Sequence, residues 1–176
     1  MEERQFLQLL GRLIVEERMM FSRHVRYGLG WSVLLLVGSL PVLAQQANFA
    51  PLHLAREGEQ ISGQVTGSTG GAFSLANIAP RDRHGNPCLG FGSPTPDHLM
   101  ILEENLDRLT LTVHSGGKDT TLVIQGPNNT IRCGDDGGSG EDASVQDTNW
   151  EAGTYQVWVG SFEASQRWRY RLVASE

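Results

Sequence analysis

A chain of 176 residues with 14 Lys and Arg against 20 Asp and Glu has a formal net charge of −6. That balance repels nucleic acid and anionic membrane surfaces, so neither is an expected partner. Its 21 glycines, and the lack of long Lys- and Glu-rich periodic segments after residue 45, favour short strands joined by many turns over a helical fold.

Residues 1–44 read as a leader. Arg23, His24 and Arg26 precede an apolar run from Trp31 to Leu40, and Pro41-Val42-Leu43-Ala44 follows. A basic start, a short apolar stretch and small residues before a cut make a helical signal peptide, which spans residues 19–44 on this reading, with cleavage after Ala44. The stretch from Trp31 to Leu43 falls short of the ~20 residues that a membrane-crossing helix needs, so no stable span is expected after processing. Residues 1–18 fit this layout badly. Phe6, Leu9, Leu10, Leu13 and Ile14 share one helical face, and Glu2, Glu3, Glu16 and Glu17 make the segment acidic. They read as an extension ahead of a true start at Met19 or Met20.

Residues 45–176 read as a single domain with enough chain to bury a core. Without the five arginines and four glutamates of the leader, it holds 16 acidic and 9 basic residues, a net charge of −7. Residues 45–59 form a loose lead-in with one extended piece. Ile61, Gly63 and Val65 alternate with polar residues, which predicts a half-buried strand, and Phe73–Ile78 predicts a second. The Pro- and Gly-rich segment 79–97 predicts a long ordered loop held by Cys88. His98–Leu102 is a short apolar strand, and Leu109, Leu111 and Val113 mark another.

The second half is more regular. Thr120–Gln125 and Thr130–Cys133 predict an antiparallel hairpin about the turn Gly126-Pro127-Asn128-Asn129. An acidic glycine-rich loop is expected from Gly134 to Asp147. A strand follows with Tyr155, Val157 and Val159 on one face, and a last one turns Trp168, Tyr170 and Leu172 inward. Short alternating strands between turn signals predict an all-β fold, an antiparallel, jelly-roll-like β-sandwich.

The two cysteines, Cys88 and Cys133, both follow the expected cut. In an oxidising compartment they have one pairing available, and a disulfide is expected. A zinc site or a nucleophile competes with this, but neither cysteine has a second cysteine or a histidine at ligand spacing.

Asp119-Thr120-Thr121-Leu122, Gly126-Pro127-Asn128, Asp135-Asp136, Ala152-Gly153-Thr154-Tyr155, Val157-Trp158-Val159-Gly160 and Tyr170-Arg171-Leu172 occur in that order. Together they resemble the bacterial pre-peptidase C-terminal domain, over roughly residues 106–173. Asn129 departs from that pattern where a turn glycine is usual, and residues 45–96 show no clear match to it. The resemblance implies a secreted β-sandwich module that follows peptidase domains, associated with secretion, substrate binding and, in some members, calcium.

Calcium takes six to eight oxygen ligands, often from closely spaced carboxylates on a flexible loop. Asp135, Asp136, Glu141 and Asp142 sit among three glycines of the acidic loop, with Asp119 and Asp147 as the nearest further candidates. For a second ligand, Trp158 falls on the face opposite Val157 and Val159, and is expected to be exposed or only partly covered. Arg167, Arg169 and Arg171 share one face of the last strand. Trp158 with that stripe is a candidate surface for a sugar or polymer, although a solvated strand face also explains the arginines. Asp97-His98 is a candidate acid and base pair. The expectation is an exported, secreted or periplasmic, non-catalytic module for binding or stabilisation, with calcium as candidate cofactor. A polysaccharide, a cell-wall polymer or a secreted protein is its candidate partner. The alternatives are a small secreted hydrolase and an envelope structural protein.

Overall fold

The computed structural model describes residues 46–57 and 60–176, so the leader, its helix and its cleavage point lie outside the described residues. Among the described residues twelve strands form two sheets: β1 (Leu52–His53), β2 (Ala55–Glu57), β3 (Gln60–Ser68), β4 (Phe73–Ser74), β5 (Phe91–Gly92), β6 (His98–Leu102), β7 (Leu106–His114), β8 (Thr120–Gln125), β9 (Ile131–Gly134), β10 (Ser144–Trp150), β11 (Gly153–Ser161) and β12 (Arg169–Ser175).

In the seven-stranded sheet β11 is central. It pairs along one side with β6 and, at Ser161, with β5, which carries β4; along the other side it pairs with β8, which carries β9. The five-stranded sheet runs β10-β7-β12-β3-β2. Every pairing is antiparallel except that of β1 with β6. The fold is therefore an all-β antiparallel sandwich. The chain changes sheet between β9 and β10, between β10 and β11, and again between β11 and β12.

Strand alternation builds the core. Leu109, Leu111 and Val113 of β7 and Leu172 and Ala174 of β12 face Leu122 and Ile124 of β8 and Tyr155, Val157 and Val159 of β11. A second cluster lies on the outer face of the seven-stranded sheet, where Val123 and Trp158 pack under Leu75, Ala79 and Cys88. Segment 75–97 thus adds a partial third layer. Close approach requires glycine beneath it: a Cβ at Gly160 would lie 2.6 Å from Thr121, 2.7 Å from Leu75 and 2.8 Å from Phe91. The Cys88–Cys133 disulfide ties the layer to β9.

Three expectations are corrected. The strand expected at Phe73–Ile78 ends at Ser74, because the chain turns through a short 3₁₀ segment, Leu75–Asn77, that puts Leu75 in the second cluster. The acidic loop ends at Ala143, where β10 begins; this edge strand buries only Val145 and Trp150 and so lacks the alternation that marks the other strands. Trp168 is half-buried ahead of β12 and is not part of the interior.

Candidate metal centre

The β8–β9 hairpin positions the acidic residues. Its register pairs Leu122 with Gly134, so Asp119 immediately before β8 and Asp135-Asp136 immediately after β9 lie side by side at the open end. The Thr120 amide donates to the Glu141 carbonyl (3.1 Å) and the Ser144 amide to the Asp135 carbonyl (3.0 Å), which folds the loop back over this end. One carboxylate oxygen from each of Asp119, Asp135 and Asp136 then falls within 4.8 Å of the others.

The electrostatics of the trio are those of crowded like charges. Burial, then the Asp136 and Asp119 carboxylates, push the Asp135 carboxyl above its ordinary range. Burial raises Asp119 as well, with the charges of Glu141, Asp136 and Glu163 adding to it. Asp135 Oδ1 is buried and has no hydrogen-bond partner among the described residues, which is costly unless something positive satisfies it. A hard cation with oxygen ligands fits this donor set, and the half-buried, half-open position leaves room for water ligands.

Of the six carboxylates expected from sequence, four belong to this end of the sandwich: Asp119, Asp135 and Asp136 converge, and Glu141 acts on Asp119 through its charge. The other two do not. Asp142 is buried and accepts from the backbone amides of Ser115 (2.9 Å) and Gly117 (3.3 Å) and from the Ser115 hydroxyl, so it closes the β7–β8 turn. Asp147 accepts from Arg132 Nε at 2.7 Å and lies 3.1 Å from His84 Nε2, as an ion pair on β10. Glu163, which sequence reasoning missed, is brought near by the Phe162 amide donating to the Asp119 carbonyl (3.0 Å). The signal for it is tertiary, since β11 pairs Ser161 with Thr120.

The ligand surface expected around Trp158 does not form. Trp158 is 3 % exposed, under segment 75–97, and its Nε1 donates to the Pro94 carbonyl at 3.4 Å. Arg167, Arg169 and Arg171 are exposed as expected. Arg169 and Arg171 lie on β12, in the other sheet from Trp158, opposite Ser68 and Thr66. Because β11 and β12 belong to different sheets, the tryptophan and the stripe cannot share one surface.

Nor do Asp97 and His98 act as a pair. His98 is fully buried between the sheets, where its Nδ1 donates to the Ala50 carbonyl (2.7 Å) and its Nε2 accepts from the Tyr170 hydroxyl (2.8 Å). Asp97, pointing the other way, accepts from the Val159 amide (2.8 Å) and from Asn48 Nδ2 (3.1 Å). Both residues clip the lead-in segment to the core. Comparison with family models, with characterised proteins and with solved structures returned no match.

Proposed function

We propose that this chain is an exported, non-catalytic β-sandwich module, related to the pre-peptidase C-terminal domains it resembles, whose Asp119, Asp135 and Asp136 hold a calcium ion. The observation that carries the reading is the convergence of one carboxylate oxygen from each of three residues within 4.8 Å, with Asp135 Oδ1 buried and without a partner among the described residues. Bound calcium supplies the positive charge that this repulsive cluster lacks. It joins the start of β8 to the end of β9 and so stiffens the rim of the sandwich. Export is supported by the leader pattern together with the Cys88–Cys133 disulfide, a bond that persists in oxidising compartments.

Calcium that binds the folded state alone raises the melting temperature by mass action. The full chain is therefore melted with calcium, with equal magnesium and with chelator. A rise specific to calcium, abolished in Asp135→Asn/Asp136→Asn, supports the reading; a melting temperature indifferent to all three refutes it.

A further inference from the structure

A second site lies in a cleft of about 490 Å³ built from three segments far apart in the chain: Arg81–Arg83, the β8–β9 turn, and the β10–β11 turn. Its volume is that of a small-molecule site, about 300 to 1,000 Å³. The cleft and the carboxylate trio share no residue, so an inference here does not rest on the calcium reading.

The residue at its floor is Arg132, 2 % exposed. Its guanidinium lies 4.0 Å over the Trp150 ring, donates through Nε to Asp147, and through Nη2 reaches the carbonyls of Thr148 (3.3 Å) and Asn149 (3.0 Å). Nε and Nη2 are thus engaged, Nη1 has no protein partner among the described residues, and the residue lines both this cleft and a smaller one beside Asp147. A buried guanidinium held on so many sides and left with one free donor edge is a fixed anion receptor.

The backbone around it is set up at some cost. Two of the four non-glycine residues with positive φ among the described residues, Asn129 (56°) and Asn149 (54°), line the cleft, and a third, Asn128 (55°), adjoins it in the β8–β9 turn. Such conformations are uncommon for any residue with a Cβ and gather at functional sites. At Asn149 the turn interrupts β10 between its pairings Thr148↔Arg108 and Trp150↔Leu106 and aims the carbonyl at Arg132.

Two more guanidiniums stand at the wall. Arg83 gives Nη1 to the Thr148 carbonyl (3.2 Å) and pairs through it with Asp147 Oδ2 (3.5 Å), and Arg81 gives Nη1 to the Gly85 carbonyl (2.7 Å), which leaves each with further donors. Facing them are the Asn129 carboxamide, whose oxygen is taken by Gln125, and Glu151, which uses one oxygen to accept from Asn128. A free amide donor and a free carboxylate oxygen beside guanidiniums suit a ligand that carries hydroxyls as well as an anion. A peptide adding as a strand is disfavoured, because the Arg83 amide already occupies the Ile131 carbonyl on the β9 edge (3.0 Å). A highly charged polyanion is disfavoured by the acidic surface.

The geometry points to this cleft as a binding site for a sugar acid: the carboxylate of a hexuronic acid residue sits on Arg132 Nη1 between Arg81 and Arg83, and its hydroxyls are read by Asn129 and Glu151. The test is titration of the full chain, in chelator so that calcium plays no part, with digalacturonate, with neutral galactobiose and with a triglutamate peptide. Saturable binding of digalacturonate is expected, with galactobiose weaker by about ten-fold, the size of one lost charge-assisted hydrogen bond. The exposed-residue variants Arg81→Ala and Arg83→Ala should each weaken it by a similar factor while melting as the parent does, and Arg167→Ala should not. Should Arg83→Ala lose its fold, Arg81→Ala decides. No saturable binding at millimolar digalacturonate, equal affinity for the neutral disaccharide, tighter binding of triglutamate, or indifference to Arg81→Ala each overturns the assignment.

Discussion

Arg132 on β9 and Asp147 on β10 form an ion pair across the two sheets, with Nε 2.7 Å from Oδ2 and side-chain exposures of 2 % and 9 %. Burial alone pushes the Asp147 carboxyl upward. The Thr148 amide, His84 and Arg132 outweigh it and hold the group below its ordinary value. Removing one partner of such a pair strands the other charge out of water, at about 3 to 5 kcal/mol. Asp147→Asn should therefore lose about that much in urea unfolding. A carboxyl depressed in the folded state stabilises above its unfolded pKa, about 4, and loses that contribution as pH falls through the folded value. The variant should consequently show a shallower acid limb than the parent. A loss under about 1 kcal/mol would mean that the pair behaves as an exposed one.

The strands whose inner face meets the core were legible from a period of two in their apolar residues: Ile61 and Val65 in β3, Leu109 to Val113 in β7, and Val157 with Val159 in β11. β10 was not, because an edge strand with two buried residues carries almost no alternation. Period assigns Trp158 correctly to the outer face of β11 but says nothing of what covers that face. The cover is the irregular segment 75–97, fixed by a disulfide. At the candidate metal centre, the carboxylates are legible in the chain but their partners are not. Asp142 and Asp147 are taken by local amides and by Arg132, competitions that no spacing reveals. The arginine cleft was invisible because residues 81–83, 127–132 and 149–155 meet only after both sheets form.

Cys88 and Cys133 are separated by 45 positions, and closing a loop of that length stabilises by about 4 kcal/mol in the chain-entropy account. Cys88→Ser/Cys133→Ser should lose on the order of that amount. The loss should also be local in character. With segment 75–97 untied from β9, acrylamide should quench Trp158 more readily, a change absent when Trp158→Phe is built into the same background. Unchanged quenching would show that the second cluster holds this layer without the bond.

Asp97 and His98 pull stability in opposite directions with pH. Burial raises the Asp97 carboxyl to about 6 despite the hydrogen bonds from Val159 and Asn48. Burial lowers His98, with the Ala50 carbonyl opposing it. A carboxyl raised on folding makes the native state bind its proton more tightly, so its contribution rises as pH falls from above 6 toward 4. A depressed histidine contributes stability above its unfolded pKa of about 6.5 and loses it below. Asp97→Asn removes the first effect and keeps the second. The stability of the parent relative to this variant should accordingly rise by about 2 kcal/mol between pH 7 and pH 4, most of the equivalent of a two-unit shift. Parallel pH profiles for the two proteins would contradict this.

The carboxylate trio makes a pH prediction of its own. Asp119 and Asp135 are both raised, by burial first and by their acidic neighbours second. Without an ion, the native state binds protons here more tightly than the unfolded chain, so the cluster costs more stability as pH rises through the folded values. On the proposed reading calcium would reverse the sign, because it would bind the deprotonated oxygens and displace any proton they hold. The calcium-induced rise in melting temperature should thus be small near pH 4, where protons compete, and grow toward pH 7. Asp119→Asn removes one ligand and one source of repulsion together. It should raise the melting temperature of the chelated protein at pH 7 while reducing its response to calcium. Melting curves at both pH values, with calcium and with chelator, check the two outcomes separately. A calcium effect equal at pH 4 and pH 7, or one undiminished in Asp119→Asn, would place the ion elsewhere on the protein.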